Sequence, residues 1–434
     1  MVCCHQTTRI TINISTKNHI KMISFIIPSR NNLPYLKLAY GSIRKFYPTE
    51  EIIILDDNSS DDSYGWMCGL NDRNLKTYVN SKNQIGHTVL YDVGVIMSTN
   101  EIFTIFHADM VCGPNYVENI MKWLKPNTVV SATRIEPPLH PAGKEKIVKN
   151  FGLYFDEFKE KEFEEFCTEE AAKNSNIITN GIFAPWAMYK KDFLAIGGHD
   201  KYFAPFPYED SDIFQRFILA GYDVIQSRDA FVYHFTCRGH RWTKEINKDD
   251  NFYKLCCAKN QAYFIRKWGS WIENDEFSKP IITPKYDISF VVKNCNKEML
   301  GLLEPWCSRI FTDCVELVSY IEMVQPGTPF NMTSRVLSSI YDYPNFFNNG
   351  IVVSFDARDM NNERFGFLTK LPKILKDSGE IGKMEYDIFT IEIAKLEPIE
   401  KNLVTNSAFH MTLDENTNDP YCTDELFRVY KQFK

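Results

Sequence analysis

The first clear pattern along the chain is Met22-Ile-Ser-Phe-Ile-Ile27, an apolar run stopped by Pro28. A continuous run of this length predicts a strand buried on both faces, as in a parallel sheet. Pro34 follows, where its missing N–H costs a helix nothing, and Leu36, Tyr40, Ile43 and Tyr47 then share one helical face. Glu51-Ile-Ile-Ile-Leu55 predicts a second buried strand, ending in Asp56-Asp57-Asn58-Ser59-Ser60. A helix is predicted over Thr88–Ser98 and a third strand over Ile102–Phe106, ending at His107-Ala108-Asp109, and Pro114 begins a further helix. Alternation of this kind implies an α/β fold with a doubly wound, mostly parallel sheet. Such sheets bind ligands beyond the carboxyl ends of their strands, where the polar residues just named fall.

The pattern breaks between Glu136 and Ser175. Phe155–Phe166 mixes charges with aromatics and predicts a solvated amphipathic helix, the alternative being a lid over the site. Order returns over Thr179–Met188, followed by Gly197-Gly198, a helix over about Glu209–Ala220, a strand to His234 and a helix over about Asp249–Trp268. The expected division is a segment 1–21 outside the fold, a first domain over 22–272, a linker over 273–284 and a smaller α/β domain over 285–434.

The second part echoes the first. Ile288-Ser-Phe-Val-Val292 matches Ile23-Ser-Phe-Ile-Ile27. Without gaps, that offset sets Asn296 on Asn31, Arg309 on Arg44, Phe311 on Phe46 and Glu316 on Glu51, and puts Ile321-Glu322 in place of Asp56-Asp57. Phe355–Met360 resembles Phe106–Met110, and Pro420-Tyr421 with Asp424–Phe427 resembles Pro207–Asp210 with Ile213-Phe214. This predicts a degenerate, non-catalytic second copy of the same fold, each part folding on its own.

Hydrophobic content of 44% and aromatic content of 14% exclude global disorder. A formal net charge of -7 argues against nucleic acid as a partner. None of the 12 cysteines forms a CxxC pair, and the adjacent pairs Cys3-Cys4 and Cys256-Cys257 do not suit a zinc knuckle, so they read as reduced thiols of a cytoplasmic protein. No run reaches the ~18 apolar residues of a membrane span. Met1–Lys21 lacks the apolar core of a signal peptide, and Met22 is a candidate start.

Asp56-Asp57 can accept hydrogen bonds from a nucleotide base or ribose, although aspartates at strand ends also simply begin turns. His107 and Asp109, on alternate residues at a strand end, could hold a divalent cation bridging two phosphates, and a capped turn also accounts for them. Glu209-Asp210-Ser211-Asp212 opens a helix, where capping and the helix dipole favour acids, yet it holds more carboxylates than capping needs. His234 ends a strand, and Cys237–Trp242 adds basic side chains suited to phosphate.

The order of these elements is more specific than any one of them. Ile26–Asn31, Leu55–Asp61, Phe106–Asp109, Gly197–Asp200, Glu209–Arg216, Gly221-Tyr222 and Tyr233-His234 resemble, in sequence, the family-two inverting glycosyltransferases of the GT-A fold, over about Met22–His240. The resemblance implies transfer of a sugar, hexosyl by analogy, from a nucleotide-diphosphate sugar to a hydroxyl of a glycan, protein or lipid. It implies Asp57 at the base, Asp56 supporting that pocket, and Pro28, Arg30, His107, Gly181 and Trp186 among the nucleotide-sugar contacts. It further implies Asp109, His234 and His107 at the metal, and Asp210 as general base beside Glu209. Two positions depart from the family pattern: His107 replaces the first Asp of its DxD motif, and Asp92 an expected Asn. An imidazole ligand shifts the expected cation from Mg2+ toward Mn2+. Two other readings compete: a nucleotide-sugar or glycan-binding protein without turnover, and a nucleotidyltransferase. The latter class carries a glycine-rich basic loop where this chain has Pro28-Ser-Arg-Asn-Asn-Leu33. The second part is expected to dock the acceptor or act as a scaffold.

Overall fold

The computed structural model describes residues 22–81, 83–236, 251–338 and 350–405, with the backbone of 411–413 and 420–422. The expectations for 1–21, Cys237–Trp242 and Asp424–Phe427 lie outside the described residues.

The first part of the chain runs β1 (Ile23–Ser29), α1 (Leu33–Phe46), β2 (Glu51–Asp56), α2 (Ser63–Cys68), β3 (Leu75–Val79), α3 (His87–Met97) and β4 (Ile102–Ile105). It continues with β5 (Met110–Cys112), α4 (Tyr116–Met121), β6 (Thr128–Glu136), β7 (Lys146–Val148), α5 (Glu160–Lys173), β8 (Ile178–Thr179) and β9 (Trp186–Tyr189). Then come α6 (Lys190–Ala195), α7 (Glu209–Leu219), β10 (Asp223–His234) and α8 (Asn251–Trp268). The strands form one mixed, mostly parallel sheet in the order β3-β2-β1-β4-β9-β6-β10-β5, with β7 beside β6 and β8 beside β10. β1, β2 and β4 are buried along their whole length, as their unbroken apolar runs predict. They are parallel; β1 and β2 end flush, Ser29 facing Asp56, while β4 ends at Ile105 opposite Ile26, three residues short of the end of β1.

From Thr128 to Lys173 the chain is more regular than its pattern. β6 is nine residues long and buried throughout, although half of it is polar. Its polar side chains have partners: Thr133 Oγ1 donates to the Ser227 carbonyl at 2.8 Å, and Arg134 pairs with Glu136 at 2.8 Å. Helix α5 is the amphipathic helix expected there, shifted a few residues on, with Phe163 and Cys167 buried and most of its charges exposed.

The second part comprises β11 (Ile288–Lys293), α9 (Lys297–Leu303), β12 (Arg309–Thr312), α10 (Leu317–Val324), α11 (Met332–Arg335), β13 (Val336–Leu337), β14 (Ile351–Asp356), α12 (Asn362–Ser378), β15 (Gly382–Tyr386) and β16 (Phe389–Ile393). Its sheet, β13-β12-β11-β14-β16-β15, repeats the order β3-β2-β1-β4-β9, with the fifth strand antiparallel in both. The ungapped offset fails past the first strand. Helix α9 has 7 residues against 14 in α1, so the second strand arrives early, at Arg309. By register the positions matching Asp56-Asp57 are therefore Cys314-Val315, not Ile321-Glu322, and the acid at the end of β12 is Asp313. Asp313 accepts from the backbone N–H groups of Asn294 and Cys295 at 2.8 and 3.0 Å.

Candidate active site

The carboxyl ends of β1, β2 and β4 open onto a cleft. Pro28, Arg30, Asp57, His107, Asp109, Trp186, Glu209 and Asp210 line it, eight of the eleven residues expected at the site. His234 lies beside Asp109, just outside that lining. Asp56 is buried under the β2 turn, one oxygen accepting from Ser59 N at 3.0 Å, and does not line the cleft. Gly181 is not brought to the cleft: a Cβ there would stand 2.5 Å from the Phe277 carbonyl, so its glycine serves close packing.

Asp57 and Arg30 have structural work inside the cleft wall. Asp57 accepts from Asn80 Nδ2 at 2.8 Å, Ile85 N at 3.0 Å and Gly86 N at 2.8 Å, which suspends the β3–α3 loop from the end of β2. Gly86 is held at φ +86, where a Cβ would stand 2.2 Å from Pro205 Cα. Only glycine tolerates both the left-handed backbone and that approach. Arg30 donates to the carbonyls of Asp57 and Asn58, tying the β1 turn to the β2 turn.

Register explains the histidine cluster. β10 runs antiparallel to β5 with His234 opposite Met110, and parallel to β6 with Tyr233 beside Ile135. His234 therefore falls between Asp109 and Glu136. The ligand atoms of His107, Asp109 and His234 lie within 4.8 Å of one another. His234 Nε2 stands 3.6 Å from Asp109 Oδ1, too far for a good hydrogen bond and suitable for two ligands of one ion. The other ring nitrogen, Nδ1, is 2.9 Å from Glu136 Oε1. A carboxylate behind a histidine fixes its tautomer and leaves Nε2 for a cation, so the donor set fits Mn2+ or a similar dication. Burial alone would raise the Glu136 pKa, but the bond from His234 and the charges of Arg134 and Lys146 hold it well below the usual carboxylate range.

Across the cleft, the four-residue acidic run divides. Asp212 is fully buried, held by Arg216 at 2.9 Å, Lys267 at 2.7 Å and Trp268 Nε1 at 2.9 Å. It belongs to the core, which explains the carboxylates in excess of capping. Glu209 and Asp210 face the cleft. Glu209 Oε1 is 2.7 Å from His87 Nε2. Burial opposes its charge, but His87 outweighs this and lowers the Glu209 pKa. Burial disfavours the His87 cation too, and Glu209 outweighs it, so His87 is raised. Among the described residues Asp210 has no such ion pair. Burial first and the Glu209 charge second push it from 3.8 up to about 6. Two adjacent carboxylates thus hold protons differently, the arrangement by which sites set apart a base.

The cleft also contains Gln84, His87, Tyr91 and His199, which the sequence did not single out as site residues. His87 stacks on Phe206, with ring centroids 5.9 Å apart. Asp92 is fully buried and meets His199 Nδ1 at 2.7 Å, so the departure from Asn creates a carboxylate–imidazole pair. The neighbouring glycines 197 and 198 were the available signal, since a Cβ on Gly198 would stand 2.3 Å from Asp92 Oδ2.

The family model for Glycosyl transferase family 2 matches residues 24–195. The match stops before Asp210 and His234. The crystal structure of GalNAc-T7 with UDP, GalNAc and Mn2+ aligns at 12% identity and TM-score 0.42, over 60% of this chain and 49% of that one. The mannosyltransferase PcManGT from Pyrobaculum calidifontis, in complex with GDP-Man and Mn2+, aligns at 18% identity and TM-score 0.38, over 56% of this chain and 63% of that one. The chain thus spans less than two thirds of either structure's length. No curated protein matches it. Among the described residues no helix is long and apolar enough to cross a membrane. Through residues 24–195, the stretch that carries Asp57, His107 and Asp109, the chain is similar to glycosyl transferase family 2.

Proposed function

We propose that the protein is a metal-dependent, inverting glycosyltransferase that moves a hexosyl group from a nucleotide-diphosphate sugar to an acceptor hydroxyl. The observation carrying this reading is that the His107–Asp109–His234 set and Asp210, whose pKa is raised, meet at one cleft. In a single in-line displacement the acceptor oxygen forms its bond to the anomeric carbon as the bond to the diphosphate oxygen breaks. Asp210 takes the acceptor proton, and the electron pair leaves with the nucleoside diphosphate. One displacement inverts the anomeric centre. His107, Asp109 and His234 would hold a Mn2+ or Mg2+ ion, which when bound supplies positive charge against the diphosphate. Asp57, at the end of β2, would contact the base. The acceptor is a glycan, protein or lipid hydroxyl, and a cytoplasmic setting belongs to the same reading.

The test is a screen of UDP- and GDP-sugars for release of nucleotide in the presence of Mn2+. Release with one donor, lost by about 100- to 10,000-fold in Asp210→Asn with donor binding retained, is the expected result. Tight binding of a nucleotide sugar with no release would favour a binding protein without turnover. Near-normal release by Asp210→Asn would remove that residue from the mechanism.

A further inference from the structure

Helix α8 bonds the Asp200–Pro207 segment and the first turn of α7, both next to the acidic side of the cleft. Asn260 Nδ2 donates to the carbonyls of Phe203, Phe206 and Pro207 at 2.6, 2.8 and 3.0 Å. Lys259 Nζ donates to the Ala204 carbonyl at 2.9 Å. Lys267 does more. Its buried ammonium is 2.7 Å from Asp200 and 2.7 Å from Asp212. Asp200 follows His199, and Asp212 comes two residues after Asp210 in the first turn of α7. One cation thus fastens together the two segments that deliver His199 and Asp210 to the cleft. Arg216 reinforces the same joint, bonding Asp212 and the Ile196 carbonyl.

The neighbouring residue faces the other way. Arg266 pairs with Glu304 at 2.7 Å, and Glu304, fully buried, also binds Arg335 at 2.8 Å and the Tyr320 hydroxyl at 3.0 Å. Glu304, Tyr320 and Arg335 all belong to the second part of the chain. Consecutive residues of α8 therefore grip the acidic side of the cleft and the second sheet. The expectation that each part folds apart from the other meets a buried ionic joint here.

We infer that Lys267 is a positioning residue for Asp210, and that the second sheet braces the cleft through Glu304, Arg266 and α8. This assigns the second sheet a part in setting the geometry of the proposed base, and it rests on the transferase reading above. A displacement of the order of 1 Å at a reacting group can cost about 100-fold in rate.

The experiment uses the full chain with Lys267→Met, Lys267→Arg and Glu304→Gln, each checked for folding by circular dichroism. Donor hydrolysis with Mn2+ is separated into kcat and KM, and Mn2+–UDP and Mn2+–GDP binding is measured by calorimetry. Lys267→Met is expected to lose about 100-fold in kcat with nucleotide binding and KM within about threefold, and Lys267→Arg to regain most of it. Glu304→Gln is expected to lower kcat by about tenfold in the same manner. Titration of the His87 ring by NMR reads α7 directly, because its partner Glu209 lies in the same turn. The His87 pKa is expected to fall in Lys267→Met even if no donor in the screen is turned over, so a failure of the transferase reading stays distinct. A folded Lys267→Met with unchanged kcat, or with no turnover to compare and an unchanged His87 titration, would overturn the inference. Should Lys267→Met not fold, Glu304→Gln decides by the same two readouts.

Discussion

The acid limb of the pH–rate profile is the most direct reading of the cleft. As the proposed base, Asp210 must be ionised to accept a proton, and burial with the Glu209 charge pushes its pKa up to about 6. The rate is therefore expected to be flat near pH 7 and to fall as pH drops through 6, leaving about a tenth at pH 5. The perturbation is Glu209→Gln. It keeps an oxygen for His87 but removes the negative charge beside Asp210. Two effects then oppose each other. Loss of the Glu209 charge lowers the Asp210 pKa, while a less protonated His87 raises it. Glu209 acts on Asp210 more strongly than His87 does, so the net movement is downward. Burial remains, so the value settles between 3.8 and 6 rather than returning to 3.8. A shift of about one unit would leave about half the plateau rate at pH 5, compared with a tenth in the parent. The assay is steady-state nucleotide release from pH 4.5 to 8, with circular dichroism across the range to exclude unfolding. An acid limb that stays in place or moves upward in Glu209→Gln would refute the coupling. A parent limb near pH 4 would refute the assignment of the base.

Two further outcomes follow from other parts of the molecule. Glu136→Gln weakens the hold on His234 Nδ1 and should reduce Mn2+ affinity by about 10- to 100-fold, read from free Mn2+ by electron paramagnetic resonance. Unchanged affinity would place the cation elsewhere. Glu304→Ala leaves the Arg266 and Arg335 guanidinium groups facing an empty buried site, a loss of about 3–5 kcal/mol. Calorimetry should show melting lowered by at least about 5 °C, and a shift under about 2 °C would mean the joint contributes little.

The parts of this fold legible in the sequence are those whose burial is uniform. β1, β2 and β4 read as strands because both their faces are covered by apolar neighbours, and Pro28, Asp56 and His107 mark their ends. β6 did not read as a strand, since Thr133, Arg134 and Glu136 find partners up to 98 residues away, and no local pattern records such pairings. β3 was missed for a different reason: at the edge of the sheet it is only half-buried. The site shows the same division. Strand ends carried Asp57, Asp109 and His234 into view, while His87 stayed hidden because its partner lies 122 residues on. Asp210 and Asp212 look alike in sequence. Two steps along a helix turn the side chain by about 200°, so one faces the cleft and the other the core. Which faces which depends on where Lys267 and Trp268 stand.

A chain that carries the segment Ile-Ser-Phe twice, at the centre of two sheets with matching strand order, must keep the copies apart while it folds. Either strand offers almost the same apolar surface to a newly made partner, and misassembly between like units is a recognised failure of such chains. The two acids at the head of β2 act as an address. Glu50 accepts from Ile23 N at 2.8 Å, and Glu51 accepts from the Ser24 hydroxyl at 2.5 Å. β12 begins instead with Arg309, which pairs with Asp287 immediately before β11. Exchanging the strands would bury the β2 acids and this arginine against the wrong neighbours. Polar groups at the starts of otherwise interchangeable strands thus write fidelity of assembly into positions that contribute nothing to the cleft.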